Sequence, residues 1–189
     1  MSKRVFFSFH YQDVIDFRAN VVRQHKLTKN DNAGYFDASI WEEAKKTGEI
    51  ALKRLINDEL KNTSVTAVLI GTDTYDRRWV RYEIVKSLSK GNSILGIHIN
   101  NIPGKDQKTK SSGLNPFDYL GIQYNSDGTR VDFYEYRNNK WVLYKDLDGY
   151  TISKVNDERK GKFFKLSYFY NTYDWILDKG YDNFSNWIK

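Results

Sequence analysis

The sequence predicts a doubly wound α/β sheet, mainly parallel, carrying a C-terminal hairpin and a helical extension. Three observations point there. Short apolar runs alternate with segments of helical periodicity from residue 3 to about 100. The strongest run, "SVTAVLIG" at 64–71, is continuously apolar rather than alternating, as in a strand covered on both faces. After Ile102 the style changes to polar loops and period-two strands. In sheets of this kind, ligands sit beyond the carboxyl ends of the strands, in the loops that enter the helices.

Each element follows from its residues. "KRVFFSF" (3–9) reads as a buried strand, and Asp13 as the cap of one amphipathic helix presenting Val14, Phe17, Val21 and His25 before the breaker-rich "TKNDNAG". "GYFDAS" reads as a second strand, followed by a polar connection to Gly48 and a helix with Ile50 or Ala51, Leu52, Leu55, Ile56 and Leu60 on its inner side. The 64–71 strand leads into a helix over about 77–90, with Val80, Ile84 and Leu88 in register, and then the strand "SILGIHI". "FDYLGIQY" is expected to add a fifth short strand, and "VDFYEYRNNKWVLYKDL" a β-hairpin turning at Arg137–Asn139. Sixteen of the 30 aromatic side chains (5 Trp, 14 Tyr and 11 Phe) lie beyond residue 130, among them Tyr168, Phe169, Tyr173, Trp175 and Trp187. That supply suits a hairpin and one or two terminal helices packed on the core. The expected division is an α/β domain over 1–125 and an aromatic-rich addition over 126–189 on the same core, since 189 residues suffice for one domain and not two.

Composition excludes several chemistries. The absence of cysteine rules out disulfides, thiolate metal sites and thiol nucleophiles, and fits a reducing compartment. With three histidines and no HExxH helix, a metal site is not expected. Neither a glycine-rich dinucleotide fingerprint nor a P-loop occurs. Ser8, His10 and Asp13 lie close in sequence, but nothing around them resembles a nucleophile elbow, so they read as strand-end polar residues. The net charge of +6 is dispersed, which argues against a nucleic-acid track. No stretch has the roughly 20 apolar residues of a membrane span, and a cytoplasmic location is expected.

"TYDRRWVRYEI" at 74–84 places Trp79 and Glu83 one turn apart at a helix start. By residue chemistry alone, such a Trp packs on the core edge and such a Glu is commonplace. Three segments in order, however, resemble TIR domains: "VFFSFHYQD" the first box, "YFDASIWEEAKKTGEI" the second strand and its long loop, and "TDTYDRRWVRYEI" the third-strand loop with its Trp-x-x-x-Glu. Over roughly residues 3–100 the likeness is to the TIR-like proteins of bacterial anti-phage defence, and in length and aromatic tail to the ThsB family of the Thoeris system.

That resemblance implies a flavodoxin-like fold and cleavage of NAD at the nicotinamide–ribose bond. It also implies a cyclic ADP-ribose isomer made as a diffusible signal for a partner effector. NAD is then substrate, and no cofactor is expected. Residue by residue, it implies Glu83 as the catalytic group, Trp79 and Tyr75 as the aromatics before it, and Phe7, Ser8, Phe9 and His10 on the loop lining the pocket. His10 and Tyr11 are open to a wall or proton-handling role and equally to a structural one. Arg77 and Arg78 are open to contacting phosphates or solvating the loop. The chain departs from animal TIR domains in a loop one residue shorter before Trp79, in Arg77 for a frequent serine and in Val80 for a frequent cysteine.

One carboxylate makes chemical sense for this reaction. The bond breaks through an oxocarbenium-like state, and nicotinamide leaves without needing an acid. A place in the first turns of a helix is expected to favour the ionised form of Glu83. A phage-derived trigger and self-association fit the same picture. The alternative class is a non-enzymatic TIR module that docks partners.

Overall fold

The computed structural model describes residues 4–25, 44 and 46–189. In chain order the elements are β1 Val5–Phe9, α1 Tyr11–Ile15, α2 Arg18–Arg23, α3 Glu49–Leu60, β2 Val65–Ile70, α4 Arg78–Lys90 and β3 Ser93–His98. Then follow β4 Leu120–Tyr124, β5 Arg130–Arg137, β6 Lys140–Leu143, β7 Tyr150–Thr151, β8 Phe163–Lys165, β9 Thr172–Asp174 and α5 Gly180–Trp187. The expected strand at "GYFDAS" lies outside the described residues.

Strands β1, β2, β3 and β9 form a parallel sheet in that order, and every residue of β2 is buried, as its unbroken apolar run requires. Alternation along the strands feeds two cores. Val5, Phe7, Val65, Ala67, Leu69, Leu95 and Ile97 meet Ala19 and Val22 of α2 and Phe184 of α5. On the other face Val68, Ile70 and Ile94 meet Val80, Ile84 and Val85 of α4, and beyond it the second sheet. A smaller cluster of Phe6, Ile56, Leu60 and Tyr82 seats α3 against α4, with Trp79 packed at its edge. Helix α4 ends as its sequence dictates, at Gly91 with φ 85°, where the Asn92 N–H returns to the Ser87 carbonyl.

The second sheet is antiparallel, in the order β6-β5-β4-β8, with β7 also on β5. Its β5–β6 hairpin turns at Asn138 and Asn139, with φ of 51° and 59°. Paired positive φ values suit asparagine, and the turn falls within the expected Arg137–Asn139.

Two expectations need correction. "FDYLGIQY" does supply a strand, but β4 joins the antiparallel sheet. The place beside β3 is taken instead by the three residues of β9, which approach closely because residue 96 is glycine: a Cβ there would lie 2.7 Å from Thr172 Cγ2. Second, the helix expected to run from Val14 to His25 is broken at Phe17, which adopts φ 69°. The break rotates α2, so that Ala19 and Val22 face the core while Phe17 and Val21 are 47% and 44% exposed. Arg18 is thereby buried, its Nη2 donating to the Lys108 carbonyl at 2.6 Å and its Nη1 pairing with Asp16 at 3.3 Å. Among the described residues no helix is long and apolar enough to cross a membrane.

Candidate active site

Strand alternation and helix periodicity together build the centre of the site. In β1, Phe6 and Ser8 face α4; in α4, Trp79, Glu83 and Ser87 recur every four residues along one side. Ser8 Oγ donates to Glu83 Oε2 at 2.5 Å, and one turn on Thr66 Oγ1 donates to Ser87 Oγ at 2.8 Å. Glu83 is 4% exposed. Burial pushes its carboxyl up to about 8, against the smaller opposing pull of the Ser8 hydrogen bond. The helix-dipole expectation is thus overturned. The helix begins at Arg78, so Glu83 is past the first turn where the dipole acts, and loss of water dominates.

Trp79 lies one turn before Glu83 on the same side of the helix and packs on the Phe6–Ile56–Leu60–Tyr82 cluster. Its ring meets Tyr82 edge-on at 6.0 Å, and the Arg78 guanidinium lies over it at 5.0 Å. His10 follows β1 directly. Its imidazole is held below the usual histidine range by burial, then by Arg77, with Lys110 adding to the effect and Asp73 opposing it. Tyr11 opens α1 and is 39% exposed.

The remaining predicted residues sit elsewhere. Phe7 and Phe9 point to the opposite face of the sheet, Phe7 stacking on Phe184 at 6.2 Å and Phe9 lying under the Arg23 guanidinium at 4.9 Å. The Tyr75 ring packs on Tyr119 at 4.9 Å, toward the second sheet. Arg77 makes an exposed ion pair with Asp73 at 3.3 Å. Arg78 is held by two carboxylates: Asp146, which accepts from Nε at 3.0 Å and Nη2 at 2.9 Å, and Glu49, which accepts from Nη1 and, at 2.8 Å, from Nη2. Those bonds draw the Asp146 carboxyl down to about 2.

Two charged neighbours stand where the sequence did not place them. Asp13 does not cap a helix; it lies inside α1, buried against Gly71, where any Cβ would come within 2.3 Å of its carboxylate oxygens. Burial pushes its carboxyl up to about 6, and Oδ2 has no hydrogen-bond partner among the described residues. The glycine at the end of the strongest strand was the available signal. Lys110, from the loop after β3, pairs with Asp16 and adds positive charge near His10. A shallow groove of about 570 Å³ along α3, lined by Ile50, Lys53 and Asn57 among others, contains none of these residues. Among the described residues no three His, Asp or Glu side chains converge as a metal would require.

A nearly dry carboxylate oriented by one hydroxyl, with an indole one helical turn away, can stabilise a developing cation and accept hydrogen bonds from sugar hydroxyls. The family described as "Thoeris protein ThsB, TIR-like domain" matches residues 6–103, the span holding β1, β2, β3, Ser8, Trp79 and Glu83. A curated protein of Bacillus cereus (strain MSX-D12), named "Putative cyclic ADP-D-ribose synthase ThsB1", is 60% identical over 192 residues, covering all of both chains. A family match over residues 6–103 and a likeness that runs the length of the chain agree with the parallel α/β sheet: this protein belongs to the ThsB family of TIR-like Thoeris proteins.

Proposed function

We propose that this protein cleaves NAD at the nicotinamide–ribose bond and closes the remainder into a cyclic ADP-ribose isomer, a signal in anti-phage defence, with Glu83 as the catalytic residue. The observation that carries it is the buried Glu83 carboxyl fixed by Ser8 one helical turn from Trp79, in a chain 60% identical throughout to a protein named "Putative cyclic ADP-D-ribose synthase ThsB1". In the free protein much of Glu83 is protonated at neutral pH. The pyridinium of bound NAD places a positive charge nearby, which favours ionisation and makes the substrate itself release the proton. The carboxylate then stabilises positive charge on the ribose as the bond breaks and nicotinamide departs with the bonding pair.

The low exposure of Glu83 supports cyclisation over hydrolysis. A nucleophile on the adenosine portion attacks the ribose carbon and gives up a proton; attack by water instead would yield linear ADP-ribose. Trp79 walls the ribose or nicotinamide, and His10 and Tyr11 line the rim. Phe7 and Phe9 support the strand from behind. Of the two arginines, Arg77 is the better candidate to meet a phosphate, because an exposed i,i+4 ion pair exchanges partners at little cost, whereas Arg78 is tied to Glu49 and Asp146. The signal reaches an effector by diffusion, a phage component is the trigger, and the setting is the cytoplasm.

The test is to incubate the protein with NAD, with and without lysate of phage-infected cells, and follow nicotinamide and the adenine-containing product by mass spectrometry. A product lacking the water of linear ADP-ribose is expected from wild type and none from Glu83→Gln. Equal activity of the two overturns the assignment of Glu83, and NAD left intact in every arm favours a docking module.

A further inference from the structure

Arg81 lies two residues before Glu83, is 3% exposed and has no part in the chemistry above. Its guanidinium folds back along α4. Nε donates to the Tyr75 carbonyl at 3.1 Å, and Nη2 to Asp76 Oδ1 at 3.0 Å. Nη1 donates to Glu135 Oε2 at 2.8 Å and to the Tyr136 carbonyl at 3.4 Å. Glu135, on β5, is 7% exposed and also accepts from Arg137 Nη2 at 3.1 Å. One buried side chain therefore joins the turn carrying Tyr75, the helix carrying Trp79 and Glu83, and the second sheet. The Tyr75 ring is held from the same direction by Tyr119, which meets Tyr136 at 6.1 Å.

The chain entering α4 is fixed by no side-chain cap. The N-cap residue Arg77 makes no side-chain capping bond, and neither does Asp73 before the Thr74–Asp76 turn. The chain entering the helix is thus tethered from inside the helix, by the fork of Arg81. For stability alone a well-packed apolar side chain serves as well as a buried ion pair, whereas a planar fork with fixed donors sets geometry.

We infer that Arg81, clamped by Glu135, is a positioning residue for the Tyr75–Trp79–Glu83 segment, and that the second sheet braces the active site through it. The inference rests on Glu83 acting on NAD. A shift of the segment by about 1 Å is enough to lower turnover on the order of 100-fold.

The experiment compares wild type, Arg81→Gln, Arg81→Lys, Glu135→Gln and the double variant Arg81→Gln/Glu135→Gln, each assayed for kcat and KM on NAD across pH and for Tm. In Arg81→Gln the expected fall in kcat is about 10- to 100-fold, with KM changed far less. The acid limb of the kcat/KM profile moves to lower pH, as Glu83 gains water. Arg81→Lys recovers part of the rate, and the double variant is no worse than Arg81→Gln. Loss of folded protein alone lowers the amplitude without moving the limb, so it does not mimic this result. If Arg81→Gln and Glu135→Gln keep the wild-type kcat and limb while Glu83→Gln is dead, or if only amplitude falls, the clamp is overturned and the role of Glu83 stands. Wild type that leaves NAD uncut, with infected-cell lysate present, overturns both.

Discussion

Replacing Glu83 by glutamine should make the protein more stable, and more so as pH rises. The carboxyl has an ordinary value of 4.5 and is held at about 8 in the fold, chiefly by burial. Between those values the folded chain binds a proton that the unfolded chain has released. The stability of wild type is therefore fully present below 4.5 and declines as pH rises through about 8. For a single site with these two values the loss is about 1.4 kcal/mol at pH 5.5 and about 4 kcal/mol at pH 8. Glutamine carries no such cost and can still accept the Ser8 hydrogen bond. In a chain of this size about 1 kcal/mol corresponds to about 2–4 °C, so the Tm advantage of Glu83→Gln should widen by about 5–10 °C between pH 5.5 and 8. Other titrating groups, such as Asp13, are common to both proteins and cancel in the difference. Thermal unfolding of the pair across that range, without NAD, is the assay. A Tm difference that stays constant with pH, or favours wild type at pH 8, refutes the dry-carboxylate account whatever the enzyme does.

Three further outcomes follow from the same geometry. Ser8→Ala removes a charge-assisted hydrogen bond, which should raise the Glu83 carboxyl further by about one pH unit and cut kcat/KM about eightfold at pH 7.5 but little at pH 9.5, as pH–rate profiles would show. Phe7→Ala should cost about 3–5 kcal/mol in denaturant unfolding, because it opens a cavity against Phe184, and should leave KM for NAD unchanged where the protein is folded, because the ring faces away from Glu83. Gly96→Val should displace β9, since its side chain enters the space of Thr172 Cγ2 and Ile70 Cδ1; the expected cost is about 1–3 kcal/mol or more, read by hydrogen exchange at Tyr173–Trp175.

The parallel strands and α4 were legible because their apolar periods are long and clean. The one-turn spacing of Trp79 and Glu83 on α4 was legible for the same reason, and resemblance supplies the chemistry proposed for it. The segment Phe7–His10 was carried over as a block, yet period two splits it: Ser8 alone of the strand residues reaches Glu83. Applied strictly, alternation would have said so. Arg18 and Arg81 could not be read as buried, because besides their near neighbours in sequence they rely on the Lys108 carbonyl and the Glu135 carboxylate, 90 and 54 positions away. Strand β9 is three residues long within an aromatic stretch that has no period at all. Its place beside β3 depends on Gly96, an absence of side chain that no propensity records.

Strand β9 also has a consequence in time. It follows β3 by more than seventy residues, and Glu135 of β5 is made in between. As the chain leaves the ribosome, β1, β2 and β3 emerge with one sheet edge bare and Arg81 without its carboxylate partner. Glu83 and Ser8 are synthesised early, but the carboxylate that clamps Arg81 comes only with β5. On the reading proposed here, a half-made or prematurely terminated chain would carry the catalytic carboxylate without its brace, and would consume the cell's NAD far more slowly than the finished protein.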